Sequence, residues 1–334
     1  MTSPIIAFFN NKGGIGKTSL VYHLAWMYFD LGLKVTVADL DPQANLSAAF
    51  LDEDRLEEIW EGEIGNTIFQ CLKPLLSGIG DIADPHPEAI EEGLNLLIGD
   101  LQLSGFEDEL SSQWSDCLDR KERAFRVISA FWRILRKAAS INEADVVLVD
   151  LGPNLGAINR AALIAADYVV VPLSPDLFSL QGLKNLGPTL VRWREEWRER
   201  LLRNPAVNLE LPRGEMQPIG YVVLQHGIRF DRPVKAFQRW IDRIPTTYND
   251  KVIQKQDAIV AHPSSDPNRL ALLKHYQSLM PMAQESRKPI FHLKPADGAI
   301  GSHLYAVRDV YTHFKALAEK IAERVQLKLP CAPS

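Results

Sequence analysis

Residues 4–26 read "PIIAFFNNKGGIGKTSLVYHLAW". The run "PIIAFF" (4–9) is short, apolar and ends at a glycine-rich loop, the pattern of a buried strand feeding a turn. Beyond the loop, Leu20, Leu24, Met27, Tyr28 and Leu31 recur at helical spacing, and Gly32 stands where a helix stops. "KVTVADLD" (34–41) then reads as a second strand. Strand, loop, helix and strand in so short a stretch make a βαβ unit.

The loop carries phosphate chemistry. Gly16, Lys17 and Thr18 fit the end of the G-x-x-x-x-G-K-[ST] pattern, although Asn11 stands where its first glycine belongs. Gly13, Gly14 and Gly16 let backbone N–H groups turn inward onto phosphate oxygens, and the helix that follows adds its positive N-terminal end. Lys17 is expected to reach the β- and γ-phosphates, and the Thr18 hydroxyl to bind Mg²⁺. A second lysine, Lys12, precedes the first by five residues, which the general pattern does not call for.

Working outward, "LNLLIG" (94–99), "VVLVD" (146–150), "YVVVP" (168–172), "IGYVVL" (219–224) and "PIFHL" (289–293) are further apolar runs. They are continuous rather than alternating, as strands covered on both faces are. Residues 120–139 put Ala124, Ile128, Phe131, Leu135 and Ala138 on one helical face, and 303–325 form a closing helix. The expected fold is α/β, an open, doubly wound, mostly parallel sheet in one domain spanning 1–334. Residues 51–92, which open on the acidic "DEDRLEEIWEGE", and 200–285, with "RNPAVNLELPRGEMQP" and "AHPSSDPNR", read as insertions. In such a sheet the strand C-termini converge on one crevice. Asp39 and Asp41 close one strand and Asp150 another, so three carboxylates join the loop, and a hydrolytic site with Asp150 on Mg²⁺ is expected.

Bulk properties narrow the classes. The net charge is −5 over 334 residues, so any nucleic-acid binding needs a local patch. Cys71, Cys117 and Cys331 form no C-x-x-C pair, which speaks against an iron–sulfur or structural zinc site and suits a reducing cytoplasm. No signal peptide and no run of eighteen apolar residues are read, so no membrane span is expected.

Five stretches, "NNKGGIGKTSLVYHLA", "VTVADLDPQAN", "LNLLIGDLQLSGFE", "DVVLVDLGPNLGAINRAALIAADYVVVPLSPDLFSLQGL" and "RKPIFHLKPADGAIG", resemble the ParA family of partition ATPases. These belong to the larger group of P-loop ATPases with a deviant Walker A loop that includes MinD. "DLDPQ" (39–43) favours the ParA branch. The resemblance is dense over 4–50, 94–106 and 145–190 and weaker from 215 onward. It implies a short form, with no room for an N-terminal helix-turn-helix ahead of the loop, and a slow ATPase stimulated by a partner. Lys12 matches the signature lysine that reaches across a nucleotide-sandwich homodimer to the partner's ATP, as an arginine finger does. Lys12, Lys17 and Asp41 are then catalytic, Asp41 positioning the attacking water. The nucleotide is held by Lys12, Gly13, Gly14, Ile15, Gly16, Lys17, Thr18 and Ser19, with Ser19 replacing the commoner threonine. Thr18, Asp39 and Asp150 serve Mg²⁺, and residues 152–160 resemble the switch segment at the dimer interface. The base is adenine, because the family uses ATP and no N-K-x-D guanine motif is present.

The resemblance further implies nonspecific DNA binding on the nucleoid, release by a ParB-like activator or cargo adaptor, and a role in segregating a plasmid, a chromosome or another cargo. Three basic stretches are candidates for the DNA contacts. The first holds Arg229, Arg232, Lys235, Arg239 and Arg243; the second is "RWREEWRERLLR" (192–203); the third is the helix from Arg120 to Lys137. Each also reads as a solvated face balanced by ion pairs. Alternatives remain open: a MinD-like or regulatory or defence ATPase acting on a protein or a membrane, or a P-loop phosphoryl-transfer enzyme such as dethiobiotin synthetase. The stripe Phe314, Leu317, Ile321 and Val325 would suit a membrane-binding helix, but a sheet-packing helix gives the same stripe, and core packing is the expectation.

Overall fold

The computed structural model describes residues 2–62, 66–226, 228–229, 232–233, 235–254, 265–276 and 278–330, with the side chains of 225–226, 228–229, 232–233 and 235–236 left aside. The strands are β1 (Ile5–Phe8), β2 (Val35–Asp39), β3 (Glu88–Glu91), β4 (Leu94–Leu97), β5 (Val146–Asp150), β6 (Tyr168–Leu173), β7 (Gln217–His226), β8 (Ile228–Arg229), β9 (Arg232–Pro233) and β10 (Arg269–Lys274). The helices are α1 (Lys17–Asp30), α2 (Asn45–Phe50), α3 (Glu53–Trp60), α4 (Ile68–Leu76), α5 (Phe106–Asp116), α6 (Glu122–Ile128), α7 (Ala130–Ile141), α8 (Ala157–Ala165), α9 (Leu177–Leu201), α10 (Lys235–Ile241), α11 (Ile244–Tyr248), α12 (Leu279–Glu285) and α13 (Ser302–Arg324).

Eight strands form one sheet in the order β10-β7-β6-β1-β5-β2-β4-β3, parallel except where β3 runs against β4. Along β1, Ile5 and Ala7 enter one apolar core while Ile6 and Phe8 enter the other. Two buried faces explain why the central strands are continuous apolar runs. The register sets Phe8 and Asp39 beside Asp150, so β1, β2 and β5 end level with one another. The sheet is the mostly parallel, doubly wound α/β arrangement expected of a P-loop nucleoside triphosphatase.

Several local readings are corrected. "PIFHL" is no strand: Ile290–His292 form a 3₁₀ turn, because the Ile290 N–H donates to His23 Nε2 at 3.1 Å and ties the segment to α1 instead of a neighbouring strand. The helix expected over 120–139 breaks at Ser129 into α6 and α7, and the Arg126 carbonyl at the break accepts from the Arg133 guanidinium at 2.7 Å. Within the two stretches read as insertions, 200–285 holds β7, which contains the expected "IGYVVL" strand, and β10, while 51–92 holds α3, α4 and β3. The stripe Phe314, Leu317, Ile321 and Val325, by contrast, packs in the core as expected.

Both sheet edges are dressed. The outer strand β3 carries Glu88 and Glu91, and Glu88 is held by Arg55 at 2.9 Å. At the other edge, Lys320 donates to the Arg269 carbonyl of β10 and Arg324 to the Pro267 carbonyl at 2.7 Å.

Candidate functional site

The loop between β1 and α1 turns through left-handed backbone at Gly14 (φ 69°) and Gly16 (φ 90°), the latter directly at the start of α1. A side chain would be strained at either position, which explains the glycines. The first-turn N–H groups of α1 therefore face a cleft of about 710 Å³ with no side-chain cap in their way. Its lining includes Lys12 through Ser19, Asp41, Gln43, Asn45 and Pro153, and extends to Tyr22, Met280 and Lys288.

Beneath the loop the carboxylates are arranged by the sheet register. Thr18 Oγ1 donates to Asp150 Oδ2 at 2.6 Å, and Lys17 Nζ lies 3.7 Å from Asp150 Oδ1. That Oδ1 is buried with no hydrogen-bond partner among the described residues. Asp39 is fully buried; its Oδ2 accepts from both the N–H and the hydroxyl of Ser47, each at 2.8 Å. Burial, and then the neighbouring Asp150 charge, push the Asp39 carboxyl up to about 7. Burial also raises Asp150, against the pull of Lys17 and Thr18. Asp41 sits at the cleft wall, with its Oδ1 accepting from Gln43 N at 3.0 Å.

Lys12 lines the cleft but is held at the start of α9. Its ammonium is paired with Asp176 and lies 5.9 Å from the Phe178 ring centroid. Asp176 also caps α9, accepting from Ser179 N at 2.9 Å. His23 is fully buried and held neutral, its pKa lowered to about 4 chiefly by burial. Its Nδ1–H donates to the Ser19 carbonyl at 2.7 Å while Nε2 accepts from Ile290. Ser47, Asp176 and His23 were not singled out from the sequence as site residues, since each acts through a partner distant in the chain or a backbone group.

The donors suit a nucleotide with a hard divalent cation. Thr18 and the orphaned, buried Asp150 oxygen are hard oxygen ligands of the kind Mg²⁺ takes. Among the described residues no group of three or more His, Cys, Asp or Glu could hold a metal alone. A cation here would therefore share its shell with phosphate oxygens and water.

A family profile described as an AAA domain matches residues 3–202. Among curated proteins, IncC of Escherichia coli is 33% identical over 187 residues, 56% of this chain and 45% of IncC. The chromosome partitioning protein ParA of Caulobacter vibrioides is 30% identical over 198 residues, 59% of this chain and 66% of that protein. The chain belongs to the ParA family of partition ATPases. The matches span less than two thirds of the length of these curated relatives. Two solved structures share this fold over nearly the whole chain. Protein DIP2308 from Corynebacterium diphtheriae has a TM-score of 0.70 at 24% identity, covering 96% of this chain and 98% of that one. The Cyanothece McdA(D38A)–ATP complex has a TM-score of 0.63 at 14% identity, covering 99% of each.

The basic stretches separate on inspection. On α6 and α7 the cations are paired: Arg123 with Glu109, Arg126 with Glu122 and Asp81, Arg133 with Asp81, Arg136 with Asp167 and Lys137 with Asp84. On α9, Trp193 and Trp197 are buried and Arg200 donates to the Trp114 carbonyl at 2.8 Å; just beyond the helix, Arg203 pairs with Glu199 at 2.9 Å. Arg239 and Arg243 flank the Trp240 ring at 4.6 and 5.4 Å, with no ion pair among the described residues. The backbones of Arg229, Arg232 and Lys235 lie in β8, β9 and α10; their side chains are outside the described residues. No described helix is long and apolar enough to cross a membrane.

Proposed function

We propose that this ParA-family chain is an ATP-operated switch that closes into a homodimer on nucleotide and, as a dimer, holds DNA without sequence preference. The observation that carries the reading is the conjunction of the glycine nest, Lys17, Thr18 and the orphaned Asp150 oxygen at the base of one cleft, with Asp41 on its wall. The nest and Lys17 bind the phosphates. Mg²⁺, when bound, neutralises charge on the phosphate oxygens; Thr18 and Asp150 hold it, and Asp39 supports them from behind. Asp41 orients water for attack on the terminal phosphate, and Lys12, once freed from Asp176, supplies the cation across the dimer where charge develops. A partner of ParB type, or a cargo adaptor, accelerates hydrolysis and releases the dimer, so that cycles on the nucleoid move a plasmid, chromosome or other cargo.

The DNA face we assign to α10 and α11, with Arg239 and Arg243, since the cations of α6 and α7 are already neutralised by Asp81, Asp84 and Asp167. The test is binding to random-sequence duplex with ATP, with ADP and without nucleotide, over a salt series. Six to ten phosphate contacts should lose roughly 10³–10⁵ in affinity between about 50 and 200 mM salt. Replacing Arg239 and Arg243 by alanine should flatten the salt slope by about two, while Arg123→Ala with Lys137→Ala leaves it unchanged. DNA binding that is absent in every nucleotide state would end the assignment of a DNA surface.

A further inference from the structure

We propose that Glu107 is a positioning residue that clamps segment 152–160 in register with Asp41. Helix α8 starts at Gly156 without a capping side chain of its own. Its first two free N–H groups, on Ala157 and Ile158, instead donate to the two carboxylate oxygens of Glu107, the second at 2.9 Å. Glu107 lies fifty residues earlier in the chain, on α5. A carboxylate there satisfies two donors and complements the positive end of the helix. The fit is close: a Cβ on Gly156 would fall 2.4 Å from Glu107 Oε1.

The rest of the segment forms a continuous hydrogen-bonded strap from this clamp to the cleft. Asn159 Nδ2 donates to the Gly152 carbonyl at 2.9 Å and the Asn154 carbonyl at 2.7 Å, and Asn154 Oδ1 accepts from Gly156 N at 2.9 Å. Gly152 packs on Asp41, where an added Cβ would sit 3.3 Å from Asp41 Oδ1. Pro153 packs on Gly13 of the phosphate loop, within 3.7 Å of a Cβ built there. Helix α5 grips the far end as well, for the Arg160 guanidinium stacks 4.3 Å from the ring centroid of Trp114. Glu107 thus sets where the Asp41 wall stands relative to the loop, without touching nucleotide itself. The effect on turnover rests on Asp41 acting on water, as proposed above; the clamp itself does not.

The experiment compares wild type with Glu107→Ala and Glu107→Gln. It measures amide exchange over 152–160, affinity for a fluorescent ATP analogue, melting temperature and steady-state ATP turnover. In Glu107→Ala the exchange should quicken by roughly tenfold or more, as local opening becomes easier. Turnover should fall by about tenfold or more while analogue affinity stays within about threefold, because only the geometry of attack is disturbed. Glu107→Gln retains one acceptor and should fall between the two. Unchanged exchange in Glu107→Ala overturns the clamp. Quickened exchange with wild-type turnover overturns the positioning role, and so does a loss of turnover matched by equal losses of analogue affinity and melting temperature. Should wild type hydrolyse no ATP, the proposed function fails, and exchange alone still decides the clamp.

Discussion

Replacing Asp176 with asparagine should tighten the ATP-dependent dimer proposed above. Asp176 performs two tasks: Oδ1 accepts from Ser179 N at 2.9 Å and caps α9, while Oδ2 holds the Lys12 ammonium. Asparagine caps a helix as well as aspartate does, so the first task survives. The second is lost, and Lys12 no longer has to be drawn from its own carboxylate before it can cross to a partner. The two side chains are 28% and 32% exposed, so the pair contributes about 0.5–1 kcal/mol, as partly solvated pairs do. A symmetric dimer breaks two such pairs, about 1–2 kcal/mol, which corresponds to a dissociation constant about 5–30-fold lower. The assay is sedimentation over a concentration series with Mg²⁺-ATP, in an Asp41→Ala background that keeps the nucleotide intact. ADP serves as one control, and Lys12→Ala, expected to abolish dimerisation, as the other. A weaker or unchanged dimer in Asp176→Asn would refute the idea that the contact holds the lysine back.

Two further outcomes are expected. Asp39 is raised from the ordinary carboxylate range to about 7 in the folded chain, so folding costs most at pH values where the unfolded carboxylate is ionised. Its contribution to stability is therefore complete below about pH 4 and is lost as pH rises through about 7; without Mg²⁺, Asp39→Asn should raise the melting temperature at pH 8 and do so less at pH 5, and an equal effect at both would contradict the shift. Gly187→Ala places a Cβ 1.7 Å from the Lys251 carbonyl oxygen, a backbone atom that cannot swing aside. Such overpacking costs about 3 kcal/mol, enough to lower the melting temperature by about 5 °C or more; a thermal transition matching wild type would deny the close approach.

What the sequence disclosed and what it hid follow from distance along the chain. The phosphate loop is contiguous, so strand, glycines, Lys17 and Thr18 could be read together, and the β2 and β5 aspartates followed from where parallel strands end. Asp39 beside Asp150 is a matter of register, which continuous apolar runs do not fix. "PIFHL" has a strand's composition, yet a buried histidine on α1 claims the Ile290 N–H, a competition no local pattern reveals. Strand β10, "RLALLK", was missed because it is charged at both ends and begins on the last residue of the loop-like "AHPSSDPNR". The basic helix resembled a DNA face only while Asp81 and Asp84 were out of view, about fifty residues away. Glu107 lay within a stretch already noticed for its resemblance, but its task depends on two backbone N–H groups of another helix.

The treatment of the sheet edges bears on crowding. Wherever copies of a protein become concentrated, an open strand edge invites them to zip together through their backbones. Here the β3 edge presents glutamates and the β10 side has carbonyls taken by Lys320 and Arg324. Side-by-side growth of the sheet is thereby discouraged at both ends. Under the function proposed above, self-association is then left to the face bearing the strand ends, where nucleotide governs it.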